Sequence, residues 1–271
     1  MKKITQDAAF ILHHYDWSES SVIAEVFSRQ LGRISLVAKG AKKPTSNFRA
    51  VLLPLQRLEL TYSLPTAAEG ADIGTLKAAH WVSGYTLPQG DALLAGVYAN
   101  ELLLKLLPRQ DAQPALFDSY ASCVALLAHQ GKTGVAGVAG AAAVQGQTAW
   151  VLRAFELLLL RHLGLLPDLT HSASGHALQA ADSSLLNLQA DRGLCLAQTE
   201  AERAIALPVA CWLGIEQGLH SAAPFAALLP VFLTWPAAQR SALRNNLRHL
   251  LHQHIGAPLK TRQLMAALQG L

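Results

Sequence analysis

Along residues 1–80 apolar and polar positions alternate in short runs. Ile34, Leu36 and Ala38 are interleaved with Arg33, Ser35, Val37 and Lys39, a period of two that predicts a strand with one face inward. Arg33 and Lys39 then share the opposite face. Leu58, Leu60 and Tyr62 alternate in the same way with Arg57, Glu59 and Thr61. Phe10–Leu12, Val22–Phe27 and Ile73–Lys77 supply three further strands. Five short strands over residues 1–80 predict a small closed barrel of the oligonucleotide-binding type.

From Asp91 the periodicity becomes helical. Asp91 is placed to cap a helix that runs to Leu107 and is stopped by Pro108. A second helix is expected over Ala115–Gln130. The Gly/Ala-rich stretch GKTGVAGVAGAAAVQGQTA, residues 131–149, predicts a flexible connection with at most a short helical piece. Trp150–Leu163 is apolar on nearly all sides, with Gly164 at the C-cap, and predicts a central buried helix. Residues 167–198, rich in Ser, Asp and Gly, predict an irregular insertion. Thr199 and Glu202 form a capping box that opens another helix. Pro236 precedes a long helix to Ile255, and a short one is expected over Thr261–Leu268. The fold class is therefore α+β: a five-stranded barrel over 1–80, then a mainly α-helical domain over 81–271.

Composition narrows the class. Hydrophobic residues make up 51% of the 271 and charged residues 15%, which excludes a disordered chain. The most apolar run, Trp150–Leu166, contains Arg153, Glu156 and Arg161, whereas a bilayer span needs about 20 residues largely free of charge. Asp7 and His13–His14 interrupt any signal-peptide core near the N-terminus. Cys123, Cys195 and Cys211 form no CxxC pair, so reduced thiols in the cytoplasm are expected, with no membrane partner.

Charge singles out residues 22–49, VIAEVFSRQLGRISLVAKGAKKPTSNFR. Two strand-like runs lead into a Gly-punctuated loop that carries Lys39, Lys42, Lys43 and Arg49 with no acid between them. Residues 1–50 hold eight basic and four acidic side chains, so the net charge of +4 arises there and the remainder is balanced at 14 of each sign. A local basic ribbon beside a small β-structure suits a polyanion such as nucleic acid. Arg33 and Lys39 on one strand face, with Lys42, Lys43 and Arg49 on the loop, could neutralise phosphates without reading sequence. The same residues also fit a solvated face. Of the nearby aromatics Tyr15, Trp17, Phe48 and Tyr62, Trp17 and Tyr62 are expected to pack inward. Phe48, between Asn47 and Arg49, is the better candidate for stacking on a base.

Arg240, Arg244 and Arg248, spaced four apart, form one helical stripe beside Leu243, Leu247 and Leu251. The stripe reads as a solvated face or as an auxiliary surface for DNA or an acidic partner. Arg153 lies in an otherwise apolar helix and needs a partner, which Glu156 at i+3 can supply. Gly131-Lys132-Thr133 ends like a phosphate-binding loop, but Leu126 stands where that loop needs glycine. His249, His252 and His254 have no carboxylate or cysteine beside them and read as surface histidines. No nucleophile–base set or paired carboxylates occur in a recognisable context, so no enzyme, catalytic residue or cofactor is expected. A hydrolase or nuclease is disfavoured on that ground. A scaffold whose barrel binds an acidic peptide and not DNA is the alternative from another class.

A set of short segments runs in order along the chain: Ser18-Glu19-Ser20-Ser21, the Gly32-Arg33 turn, Leu36-Val37-Ala38-Lys39-Gly40-Ala41-Lys42, Tyr98-Ala-Asn-Glu101-Leu102 and Leu116-Phe117-x-x-Tyr120. Further along come Leu152-Arg-Ala-Phe-Glu-Leu157 with His162-Leu163-Gly164, and Pro258-Leu-Lys-Thr-Arg262. Each is weak alone; together, in this order, they span nearly the whole chain and resemble the RecO family of bacterial recombination mediators. The resemblance implies an N-terminal oligonucleotide-binding (OB) barrel and a helical domain. It implies binding of single- and double-stranded DNA, annealing of complementary strands, and, with RecR, loading of RecA onto DNA coated by single-strand-binding protein (SSB). It implies a cytoplasmic, nucleoid-associated protein. By the same resemblance Arg153 would face the carboxylates of the SSB C-terminal tail and Leu157 would line its apolar pocket, a role that suits the arginine fork. Many family members carry a four-cysteine zinc site. The corresponding stretch here is His171-Ser-Ala-Ser-Gly175, and His171, His176 and Cys195 could supply three ligands at most. No zinc is expected, and packing is expected to hold the insertion.

Overall fold

A computed structural model describes residues 2–65, 73–82, 84, 86–133, 137–261, 263 and 264, with the backbone alone over 130–133 and 137–146. Strands β1 (Lys2–Asp16), β2 (Val22–Ser28), β3 (Gly32–Ala38), β4 (Arg57–Leu64) and β5 (Ile73–Trp81) close into a barrel in the order β1-β2-β3-β5-β4. All neighbours are antiparallel except β3 and β5, which are parallel. These are the five predicted strands, in an arrangement of the OB kind. The alternation places Ile34, Leu36, Ala38, Leu58, Leu60 and Tyr62 in the barrel core, as expected.

β1 serves both neighbours, pairing with β4 over Lys2–Phe10 and with β2 over Ala9–Asp16. It bends at two bulges, where an extra residue kinks a strand. The first lies between Ile4 and Asp7, with Gln6 at φ 52°. Beyond it Asp7 is buried and accepts hydrogen bonds from the Tyr62 hydroxyl (2.7 Å), the Ser28 hydroxyl and the Gln30 amide (3.3 Å). The second bulge lies between Ile11 and His13. There the Asn100 amide donates to the carbonyls of Leu12 (3.1 Å) and Ile11 (3.4 Å), which serves backbone the bulge has taken out of register.

Asn100 sits on α2 (Asp91–Leu106), whose cap position is Gly90; Asp91 lies in the first turn and not at the cap. α3 (Pro114–Thr133) supplies Phe117 and Tyr120, which cover Phe10 and Phe27 on the barrel exterior with ring centroids 4.9–6.1 Å apart. Tyr120 also donates to Asn100. Glu101 on α2 accepts from the Lys260 amide (2.8 Å), the Thr261 amide (2.9 Å) and the Thr261 hydroxyl (2.6 Å). Glu101 and the Lys260–Thr261 pair, distant in sequence, thus meet.

Backbone contacts divide the chain into two compact units, residues 1–145 with 259–271 and residues 146–258. The boundary falls inside α4 (Gly137–His162). Where a flexible connection was expected over 131–149, residues 131–133 are the end of α3 and 137–149 the start of α4, while 134–136 lie outside the described residues. Alanine is the best helix former, and the run Ala141–Ala143 outweighs the glycines around it.

The second unit also departs from expectation. Within the supposedly irregular 167–198, β6 (Leu185–Gln189) and β7 (Gly193–Leu196) form a hairpin, and β8 (Leu207–Pro208) completes a three-stranded sheet. The hairpin turn ends at Gly193, φ 77°, a conformation that favours glycine. The predicted capping box is present at the head of α5 (Glu200–Ala204). α6 (Val209–Leu219) and α7 (Pro224–Thr234) follow, with the Trp212 indole of α6 donating to Leu186 (3.2 Å). α8 (Ala237–Ile255) has Pro236 at its cap. Its buried Asn246 accepts from the Leu188 amide (2.6 Å) and donates to Ile205 (2.7 Å), tying the helix to the sheet. The helix expected over Thr261–Leu268 lies largely outside the described residues. Among the described residues no helix is long and apolar enough to cross a membrane.

Candidate nucleic-acid interface

The basic loop begins where β3 ends. Gly40, at φ 72°, turns the chain after Lys39, and the Lys43 amide closes the turn on the Gly40 carbonyl (3.1 Å). The 18–21 segment holds this loop. The Gly40 amide donates to the Ser21 hydroxyl (3.4 Å) and the Lys42 amide to the Ser20 carbonyl (3.0 Å). The Ser-Glu-Ser-Ser step and the Ala-Lys-Gly-Ala-Lys loop are therefore one local structure. Ser46 then caps the one-turn helix α1 (Asn47–Val51), which carries Phe48 and Arg49.

The five cations singled out from the sequence have different environments. Lys39, Lys43 and Arg49 are exposed, with no ion pair among the described residues. Lys42 pairs with Asp16 (3.0 Å) and donates to the Ser18 carbonyl (2.9 Å), which pins the loop. Arg33 shares its strand face with Lys39, as predicted, but is half-buried and donates to the Leu104 carbonyl of α2. Burial, with Arg109 close by, lowers the Arg33 pKa from its ordinary value. On the same face Ser35 is buried beneath Arg109, whose guanidinium reaches the Ser35 hydroxyl (2.6 Å) and the Glu25 carboxylate (3.0 Å). Only the Lys39 end of that face is open.

Two further residues join the open set. Tyr62 pairs with Leu76 and Thr61 with Ala78, so Lys77 is the extra residue of a bulge in β5 and is exposed. Bulges re-aim side chains beside binding sites. Trp81, at the end of β5, is 53% exposed, and its indole donates to the Val51 carbonyl at the end of α1 (3.2 Å). Between α1 and β5 runs a groove of about 710 Å³ with Lys39, Lys77, Phe48, His80 and Trp81 among its walls. Phe48 is half-buried, packed against the barrel core, and presents only part of its ring. Sequence reasoning missed Lys77 and Trp81 because the bulge breaks the period of two near Lys77, where the strand was expected to end. Tyr62 is buried, as expected, but Trp17 is 61% exposed and is no part of the barrel core.

The helical candidates lie in the second unit. Arg153 pairs with Glu156 at 2.7 Å, with its side chain 14% exposed, and Leu157 is fully buried. Arg240 rests on the Trp150 ring, 5.8 Å from its centroid, while Arg244 and Arg248 are exposed. His171 pairs with Asp168 (2.7 Å) and His176 contacts Ser174 (2.9 Å). Among the described residues no group of three or more His, Cys, Asp or Glu is gathered to hold a metal ion.

The first unit thus contains an OB-type barrel with a groove on its wall that Lys39 and Lys77 help to line. Residues 1–85 match the family model described as Recombination protein O N terminal, and residues 87–139 and 142–263 match Recombination protein O C terminal. DNA repair protein RecO of Variovorax paradoxus (strain S110) is 49% identical over 270 residues, 99% of this chain and 98% of that protein. The proteins of the same name from Delftia acidovorans and Verminephrobacter eiseniae are 48% and 49% identical, each over 100% of this chain and 98% of their own length. The chain belongs to the RecO family, and its role lies in DNA repair and recombination.

Proposed function

We propose that the protein is a non-enzymatic recombination mediator whose barrel binds DNA backbones along the Lys39–Lys77 groove. The observation that carries this reading is the set of four exposed cations, Lys39, Lys43, Arg49 and Lys77, in and beside one groove, with no carboxylate paired to them among the described residues. Such a surface releases counterions from any phosphate chain, which suits both single- and double-stranded DNA. Two complementary strands held on it repel one another less, and annealing follows from that screening. Arg33 and Lys42 serve the fold in this account; Arg33 buttresses α2 and Lys42 anchors the loop.

Loading of RecA on SSB-coated DNA together with RecR is the larger activity that family membership supports. The family resemblance assigns the SSB tail to Arg153 and Leu157. Their burial favours a structural pair with Glu156 instead, and the more open Arg240, Arg244 and Arg248 stripe suits an acidic partner better. The test is equilibrium binding of the full chain to a fluorescent single-stranded oligonucleotide and to an acidic peptide, with annealing of complementary strands followed in parallel. Submicromolar DNA binding at low salt, with faster annealing, is expected. Peptide binding without DNA binding would instead establish the scaffold alternative.

A further inference from the structure

The groove contains a feature that phosphate neutralisation leaves unused. An exposed tryptophan on a soluble surface is ordinary when its ring is free to swing. Trp81 is fixed: its indole N–H is tied to the Val51 carbonyl at 3.2 Å, yet the side chain stays 53% exposed. Beside it Ala50, Ala78 and Ala79 carry nothing beyond a methyl group, so a flat ligand has room against the indole. Lys39 and Lys77 stand in the same groove, where they can hold the phosphates of a chain whose base reaches Trp81. Phe48, with much of its ring turned into the barrel, forms wall and leaves the larger open face to Trp81.

We propose that Trp81 is a stacking platform for an unpaired nucleobase and makes the groove prefer single strands. A base within a duplex already has both faces covered by its neighbours, so only an unpaired one can lie on the indole. Stacking of this kind tolerates any base, because every base has a π-face. The proposal rests on the DNA-binding reading of the groove and adds to it the part of the polymer that Trp81 contacts.

The test compares an oligothymidylate with an abasic oligomer of equal phosphate number, each titrated into the full chain. The wild type is expected to bind the oligothymidylate about ten-fold more tightly. Trp81→Ala brings that ratio close to one, Trp81→Phe retains most of it, and Trp17→Ala, which alters an exposed tryptophan outside the groove, leaves it unchanged. Because the readout is a ratio on one protein, a general loss of folded material does not mimic it. Quenching of 2-aminopurine placed in the oligomer provides a second readout, expected in the wild type and lost in Trp81→Ala. A wild type that binds both oligomers equally, or a Trp81→Ala variant that keeps the preference, overturns the stacking platform while the DNA-binding reading stands. A wild type that binds neither oligomer at low salt overturns both.

Discussion

Lys42 and Lys43 are adjacent and carry the same charge, but their surroundings separate them. Lys42 is held by Asp16 and Ser18, whereas Lys43 is open. Lys43→Ala is therefore expected to reduce the salt dependence of single-strand binding by about 0.7 in log–log slope, the value for one phosphate contact. Lys42→Ala should leave that slope nearly unchanged and lower stability by at most about 1 kcal/mol, as for an exposed ion pair. Parallel salt titrations and urea melts check both. Gly32 is constrained differently. It sits at φ 72°, and a Cβ there would lie 1.8 Å from the Asp111 carbonyl oxygen. Gly32→Ala is expected to cost at least about 2 kcal/mol, read as a lower urea midpoint, since both the backbone conformation and the approach of another main chain forbid a side chain.

Among the elements, the link from α2 to the segment after Pro258 has a pH dependence with a definite sign. Burial pushes the Glu101 carboxyl up, but hydrogen bonds from the Thr261 hydroxyl and the Thr261 and Lys260 amides outweigh it, and the net pKa is lowered. A carboxyl lowered in the folded state stabilises it fully above the ordinary carboxylate range. That contribution is lost as pH falls through the lowered folded value. Hydrogen exchange at the Lys260 and Thr261 amides is therefore expected to lose protection on acidification, before the barrel amides do. Glu101→Gln should cost about 1 kcal/mol, as for loss of a cap, and remove the acid sensitivity. Unchanged protection of those two amides in the variant would contradict the link. The alternation along β3 showed which residues face outward, but not that Arg109, 74 positions from Ser35, would cover that face. Coverage depends on where the connection between α2 and α3 lands, and periodicity holds no record of that. The bulge at Lys77 hid a cation and a tryptophan for a related reason, since it breaks the repeat by which strands are recognised. Helices α6 and α7 and the β6–β7 hairpin went unrecognised because short elements carry too few periods to stand out.

For the whole molecule, the five strands and the basic loop were legible because each rests on local alternation or local charge. The three-stranded sheet and the helical residues 137–149 were not, since glycine and serine content resembles that of a loop when neighbours are unknown. DNA contact is proposed for the barrel, with the open groove at its centre. The most direct measurement is the slope of log Kd against log salt for a single-stranded oligonucleotide, with the wild type compared to a variant carrying Lys39→Ala, Lys43→Ala, Arg49→Ala and Lys77→Ala. Loss of four phosphate contacts predicts a slope shallower by about 3 in the variant, with weaker binding at low salt. An unchanged slope in a variant that melts like the wild type would contradict the claim that this groove holds DNA.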